Sequence, residues 1–259
     1  MGALMLAEGG TFQPPGADSF ILPPIFGGVT KPMVLVVLSA IIVAAYFVIA
    51  TRNLKLVPGK GQFVAEFVYE FSRNKIAREH IGAKDFRPFV PLIFALFTFI
   101  LVNNIFGIIP IIQFPTMSRI GFPLALAAVV YLVFHGVGFA RHGFLGYFKH
   151  IMFPPGVPKP IYILLSPIEL FQKFIAQPAA LAIRVFAAMF AGHLILLVFT
   201  LGGEFLLMEA GAALKPISLV GFAFAIALTF VEALIQVLQA YIFALLTASF
   251  IGAALSEGH

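Results

Sequence analysis

Long apolar runs recur through this chain, and they leave few folds open to it. Residues 33–51 read MVLVVLSAIIVAAYFVIAT; further runs cover 88–112 and 120–139, and two longer ones cover 161–201 and 216–255. A stretch of about 18 or more apolar residues is a membrane-span candidate, because hydrocarbon accepts a crossing backbone only when its polar groups are bonded internally. The last two runs exceed the roughly 20 residues that a crossing needs, so both helices are expected to be long and strongly tilted. The expected fold is an all-α membrane protein: five transmembrane helices in one polytopic domain over 1–259, plus an amphipathic surface helix over 62–80. A soluble globular fold is excluded, since 61% of residues are apolar, only 10% are charged, and mean hydropathy is +1.05.

The loop charges lie between the runs. Of the 16 Lys and Arg residues, eight fall in 52–87: Arg52, Lys55, Lys60, Arg73, Lys75, Arg78, Lys84 and Arg87. A second basic connection, 140–160, carries Arg141, Lys149 and Lys159. Cytoplasmic loops are enriched in Lys and Arg, so both belong on the cytoplasmic side, with the tail over 1–32 and the connections near 115 and 208 outside. Five crossings then leave the N-terminus outside and the C-terminus in the cytoplasm. Topology accounts for the net charge of +5, and no nucleic-acid partner is expected. In the first basic loop, QFVAEFVYEFSRNKI sets Val64, Phe67, Val68 and Phe71 opposite Glu66, Glu70 and Arg73. That spacing predicts a helix lying on the membrane or under a partner.

The tail is rich in Pro and Gly (FQPPGADSF, ILPPIFGG) and reads as irregular. MGALMLAEGG has neither a basic leader nor a long apolar region, so no signal peptide is expected. With no cysteine, disulfides, thiol catalysis and thiolate metal sites are excluded. No metal-ligand spacing, Gly-rich phosphate loop or nucleophile motif occurs, so neither a metal nor a cofactor is expected. The lack of an internal repeat counts against transporter folds built from duplicated halves.

Of the 11 acidic residues, nine can be assigned to loops or termini, leaving Glu169 and Glu232 inside apolar runs with Lys173, Arg184 and His193. A central Arg costs about 2.5–3.5 kcal/mol on insertion scales, and such groups face a watery cavity or a partner charge. Glu169 and Lys173 are four apart, share a helix face and can pair, or Lys173 can snorkel as a purely structural residue. Arg184 and His193 are nine apart, about half a turn out of phase, and point to different sides. Glu232, Gln236 and Gln239 form a stripe at i, i+4 and i+7. The two amides either tie helices together or line an aqueous proton path with Glu232 and His193. Close helix packing is the favoured reading for Ala187, Ala188, Ala191 and Gly192. The guanidinium of Arg184 keeps its charge, so packing is a poor account of it.

These residues carry a resemblance. PIELFQKFIAQPAALAIRVFAAMFAGHLI (167–195) and LIQVLQAYIFALLTASFIG (234–252), supported by NNIFGIIP (103–110) and the ending LSEGH, resemble subunit a of F-type ATP synthases, bacterial type. The resemblance implies a non-catalytic, ion-translocating stator subunit of the Fo sector in the bacterial plasma membrane. Its partners would be a c-ring of small hairpin subunits, peripheral-stalk b subunits and the lipid bilayer, within a large hetero-oligomeric complex. By position, Arg184 is similar to the family's essential stator arginine and Gln239 to its neighbouring glutamine. His193 and Glu232 are similar to the protonatable pair of the outer half-channel, and Glu169 to an acid near the inner one; Gln236 joins the path. The chain has Ala188 where many members have asparagine, and Gln177 where a basic residue is common. His193 and Glu232 stand exchanged relative to some members. A proton-coupled carrier of a small solute, or a scaffold subunit whose charges pair with a neighbour, are the competing readings.

Overall fold

The computed structural model describes residues 12–153, 158–209 and 214–256. Parts of several segments singled out above lie outside the described residues: the start of the tail, part of the second basic connection, residues 210–213, and Glu257, Gly258 and His259 of the closing motif.

The tail makes a 3₁₀ turn at Ala17–Phe20 and a small hairpin, β1 (Pro24–Phe26) with β2 (Val29–Thr30). Gly27 and Gly28 close it with φ of 51° and 86°, the left-handed pair that a two-residue hairpin turn requires. Helix α1 (Lys31–Thr51) follows. Next come α2 (Lys60–Glu70), a π-helical stretch (Phe71–Arg78) and α3 (Glu79–Ile81), then α4 (Val90–Ile105). Helices α5 (Gly121–His142), α6 (Phe144–Met152), α7 (Tyr162–Phe171), α8 (Gln177–Met208) and α9 (Lys215–Leu255) complete the chain. Among the described residues, five helical stretches are long and apolar enough to cross a membrane: Lys31–Thr51, Arg87–Ile105, Gly121–His142, Tyr162–Met208 and Lys215–Leu255. The last two have 47 and 41 residues. At about 1.5 Å per residue they reach about 60–70 Å, twice the roughly 30 Å of hydrocarbon, so they run obliquely or extend beyond it.

Several bounds differ from the hydropathy reading. The second crossing helix stops at Ile105 instead of continuing to residue 112; the Asn pair and Gly107 give way to turns through Ile112. At the other end of the chain α8 continues to Met208, so Glu204 lies on its last turns and not in the following connection. Between α7 and α8 a π turn, Gln172–Ala176, takes up Pro178, which has no N–H for the carbonyl four residues back.

One continuous core joins α4, α5, α8 and α9 through Ile93, Ile100, Val130, Leu181, Val185 and Phe243. Ala240, Ala244 and Ala248 recur every four residues on the buried face of α9 and let its neighbours come close. The surface helix belongs to this core as well. Ala65, Ser72 and Ile76 are buried and Val68 packs inward, whereas Val64 and Phe67 remain exposed. Its apolar face is therefore divided, half serving the bundle and half turned outward.

At Gly252 of α9 a Cβ would run into the backbone carbonyl of His80. Gly252→Ala is expected to force these elements apart, at about 1–3 kcal/mol. A smaller fraction of the purified variant should survive a heating step in detergent; an unchanged fraction would show that α3 yields freely.

Candidate functional site

Helices α8 and α9 bring His193 together with Glu232 and Gln236. His193 and Glu232 are each only 4% exposed, and Nδ1 of His193 stands 3.5 Å from Oε1 of Glu232. At that length the two groups face each other without an aligned hydrogen bond. One turn further along α9, the Gln236 amide donates to Oε1 of Glu232 at 3.3 Å. Gln236 is fully buried and Gln239 is half-buried. Four buried polar atoms here have no hydrogen-bond partner among the described residues: Nδ1 of His193, Oε2 of Glu232, Oε1 of Gln236 and Oε1 of Gln239. Buried polar groups are rarely left unpaired, so such a row marks a place where water or a group from outside the chain completes the hydrogen bonding.

Helix α4 supplies residues that the sequence reading left out. Asn104 donates to the Gln236 carbonyl at 3.1 Å, and its own Oδ1 is a fifth buried polar atom without a partner among the described residues. Asn103 donates to Oγ of Ser39 at 2.7 Å and accepts from the Thr116 hydroxyl at 2.6 Å, tying α1 and the following 3₁₀ turn to α4. Adjacent asparagines at the end of an apolar run carry the same insertion penalty as other intramembrane polar groups, and that signal could have marked them. Asn103→Leu leaves the buried Thr116 hydroxyl without its acceptor, which costs about 1–3 kcal/mol. Earlier thermal dissociation of α1 from the bundle, followed by proteolysis after residue 51, is the expected result.

Arg184 lies elsewhere. It is exposed on α8, on the opposite side from buried His193, and has no hydrogen bond or ion pair among the described residues. Ala187 and Ala191 continue its outward face. Ala188 packs on the core and Gly192 is half-buried, so only part of the small-residue segment serves packing within the chain. The outward face of α9 is apolar, with Leu219, Val220, Phe224, Phe230, Leu234 and Leu238 all exposed.

Glu169 is not brought to the His193–Glu232 cluster. It lines a separate cleft of about 240 Å³ with Lys173, Gln177, Tyr147 and Ser256. Glu169 and Lys173 share this cleft but form no ion pair. On its wall the Tyr147 hydroxyl meets Nδ1 of His135 at 2.9 Å, and burial pushes the Tyr147 phenol up to about 12. The tyrosine therefore keeps its proton and stays neutral beside the imidazole. Gly138 leaves the space this ring occupies. Along the helix axis Arg184 stands about 22 Å from Glu169 and about 14 Å from His193 at 1.5 Å per residue. No group of three or more potential metal ligands occurs among the described residues.

The fold and these clusters define a class: a multi-pass α-helical membrane protein that, among its described residues, has two separate polar sites and an unpaired cation exposed on the helix between them. Residues 33–252 match the family model described as ATP synthase A chain, so the chain belongs to that family. It is 44% identical to ATP synthase subunit a of Nocardioides sp. (strain ATCC BAA-499 / JS614), with 98% of this chain and 96% of the relative aligned. The corresponding protein of Pseudarthrobacter chlorophenolicus is 46% identical, over 98% and 97% of the two chains. That of Streptomyces lividans is 40% identical, over 97% and 91%.

Proposed function

We propose that this chain is the proton-channel stator of an ATP synthase Fo sector, feeding and emptying the carboxyl groups of a rotating c-ring. The observation that carries the reading is the guanidinium of Arg184, a permanent charge exposed on a membrane-crossing helix without a partner among the described residues. Such a charge is tolerated in hydrocarbon when something outside the chain answers it, and an acidic group on an adjoining rotor does so. An apolar face on α9 and small residues beside Arg184 suit a partner that slides past.

Protons enter from outside by way of His193, Glu232, Gln236 and Asn104, with Gln239 towards the ring. They leave to the cytoplasm through the cleft at Glu169. Neither route crosses the membrane alone. An opposite charge nearby lowers a carboxyl's pKa by about 1–3 units, so Arg184 favours ionisation of each ring carboxyl that reaches it and repels a proton moving straight between the two routes. The charge then crosses only as the ring turns, and the transmembrane potential contributes about 2.3 kcal/mol per charge per 100 mV. This chain performs no bond chemistry. The basic segment 52–87 faces the cytoplasm, with the peripheral stalk among its partners and the bacterial plasma membrane as its location.

Extraction in mild detergent tests the assembly. The expected result is co-purification with a ring of small hairpin subunits and a peripheral stalk. Purification alone, with saturable binding of a small solute, would establish a carrier instead.

A further inference from the structure

The family model begins at residue 33, so the tail before it is not covered by that match. Within the tail Phe20 is only 4% exposed although it follows an irregular, proline-rich segment. Its ring lies 4.6 Å from Phe190 and 6.2 Å from Phe114, and meets the His193 imidazole edge-on at 6.0 Å. The segment is held on both sides of this contact. Phe12 packs on Phe205 of α8 at 5.5 Å, and Lys31 donates to the Ile112 carbonyl at 2.6 Å. Pro14, Pro15, Pro23 and Pro24 flank the Ala17–Phe20 turn and restrict how the strap can rearrange. An aromatic side chain is thus delivered from outside the bundle onto one side of the imidazole, while Glu232 occupies another.

We infer that the N-terminal strap roofs the proton-entry site: Phe20 closes the direct approach to His193, so that water-borne protons reach it only past the polar edge formed by Asn104, Gln236 and Glu232. The inference rests on the proposed role of His193 and Glu232, but the cover itself is measured without reference to transport. The chain has no cysteine, so one introduced thiol reports on a single place. Gly192 suits it, since a Cβ there stands 3.9 Å from Cγ of Glu232, an ordinary contact.

The assembled complex with Gly192→Cys, its other subunits made cysteine-free, is prepared in right-side-out vesicles and labelled with methanethiosulfonate ethylammonium. Labelling is expected to be slow, and to accelerate by about tenfold or more when Phe20→Ala is added, because removing the closing contact raises the open population. Phe20→Leu, which keeps an apolar plug, stays near the slow rate. Phe12→Ala, which frees the strap without altering the pocket, accelerates labelling in the same direction and stands in should Phe20→Ala fail to assemble. Equal labelling rates in all these backgrounds overturn the roof. Faster labelling upholds the roof whatever the rate of proton uptake, whereas unchanged uptake from the outer side in Glu232→Gln would remove the proposed entry site without touching the roof.

Discussion

Replacing Arg184 by alanine is expected to reduce ATP-driven proton pumping in inverted vesicles to background while the complex still assembles. The two halves of that statement have different physical sources. Inserting a central Arg costs about 2.5–3.5 kcal/mol, so removing it relieves the membrane helix. Arg184 is exposed and makes no hydrogen bond or ion pair among the described residues, so its loss breaks nothing inside the chain. A functional failure in a normally assembled complex then reports on what the charge does to a partner. Arg184→Lys is expected to recover only a minor fraction, because a desolvated ammonium can release its proton whereas a guanidinium cannot. Coupled pumping by Arg184→Ala would remove the central element of the proposed mechanism.

The second large effect concerns the pair on α8 and α9. Glu232→Gln keeps the shape and the hydrogen-bonding capacity that Gln236 uses, but ends proton exchange at that position. Proton flow from the outer side is expected to fall at least about tenfold, since a positioned proton-transfer group contributes about 10²–10⁴ in rate. His193→Glu alone sets two carboxylates in contact, and like charges this close hold one of them protonated, so flow falls there as well. Changing both, His193→Glu with Glu232→His, rebuilds one imidazole and one carboxylate across the same 3.5 Å contact and is expected to restore most of the flow. An unchanged rate in Glu232→Gln, measured as proton uptake into de-energised vesicles, would take Glu232 out of the path.

Much of the fold was legible because the bilayer imposes a length rule: apolar runs of span length reveal crossing helices, and their all-α class follows from backbone bonding. Local chemistry modified where those helices end. Helix α4 ends at Ile105 with the Asn pair inside its last turn, and α8 continues past Glu204 to Met208. The amphipathic pattern of 62–80 was visible, but which half of its apolar face turns inward was settled by packing against α4 and α9.

The sequence by itself determined which residues had to be explained. A guanidinium, an imidazole and carboxylates inside apolar runs are costly wherever the helices go, and helical phase alone set Arg184 and His193 on opposite sides. Only the tertiary structure decided the company they keep. His193 meets Glu232 from the preceding long helix, Asn104 reaches Gln236 from another helix, and Phe20 arrives from the tail, while Glu169 and Lys173 share a cleft without pairing. Periodicity describes one helix at a time; contacts between helices depend on how small residues, prolines and π turns let their surfaces meet.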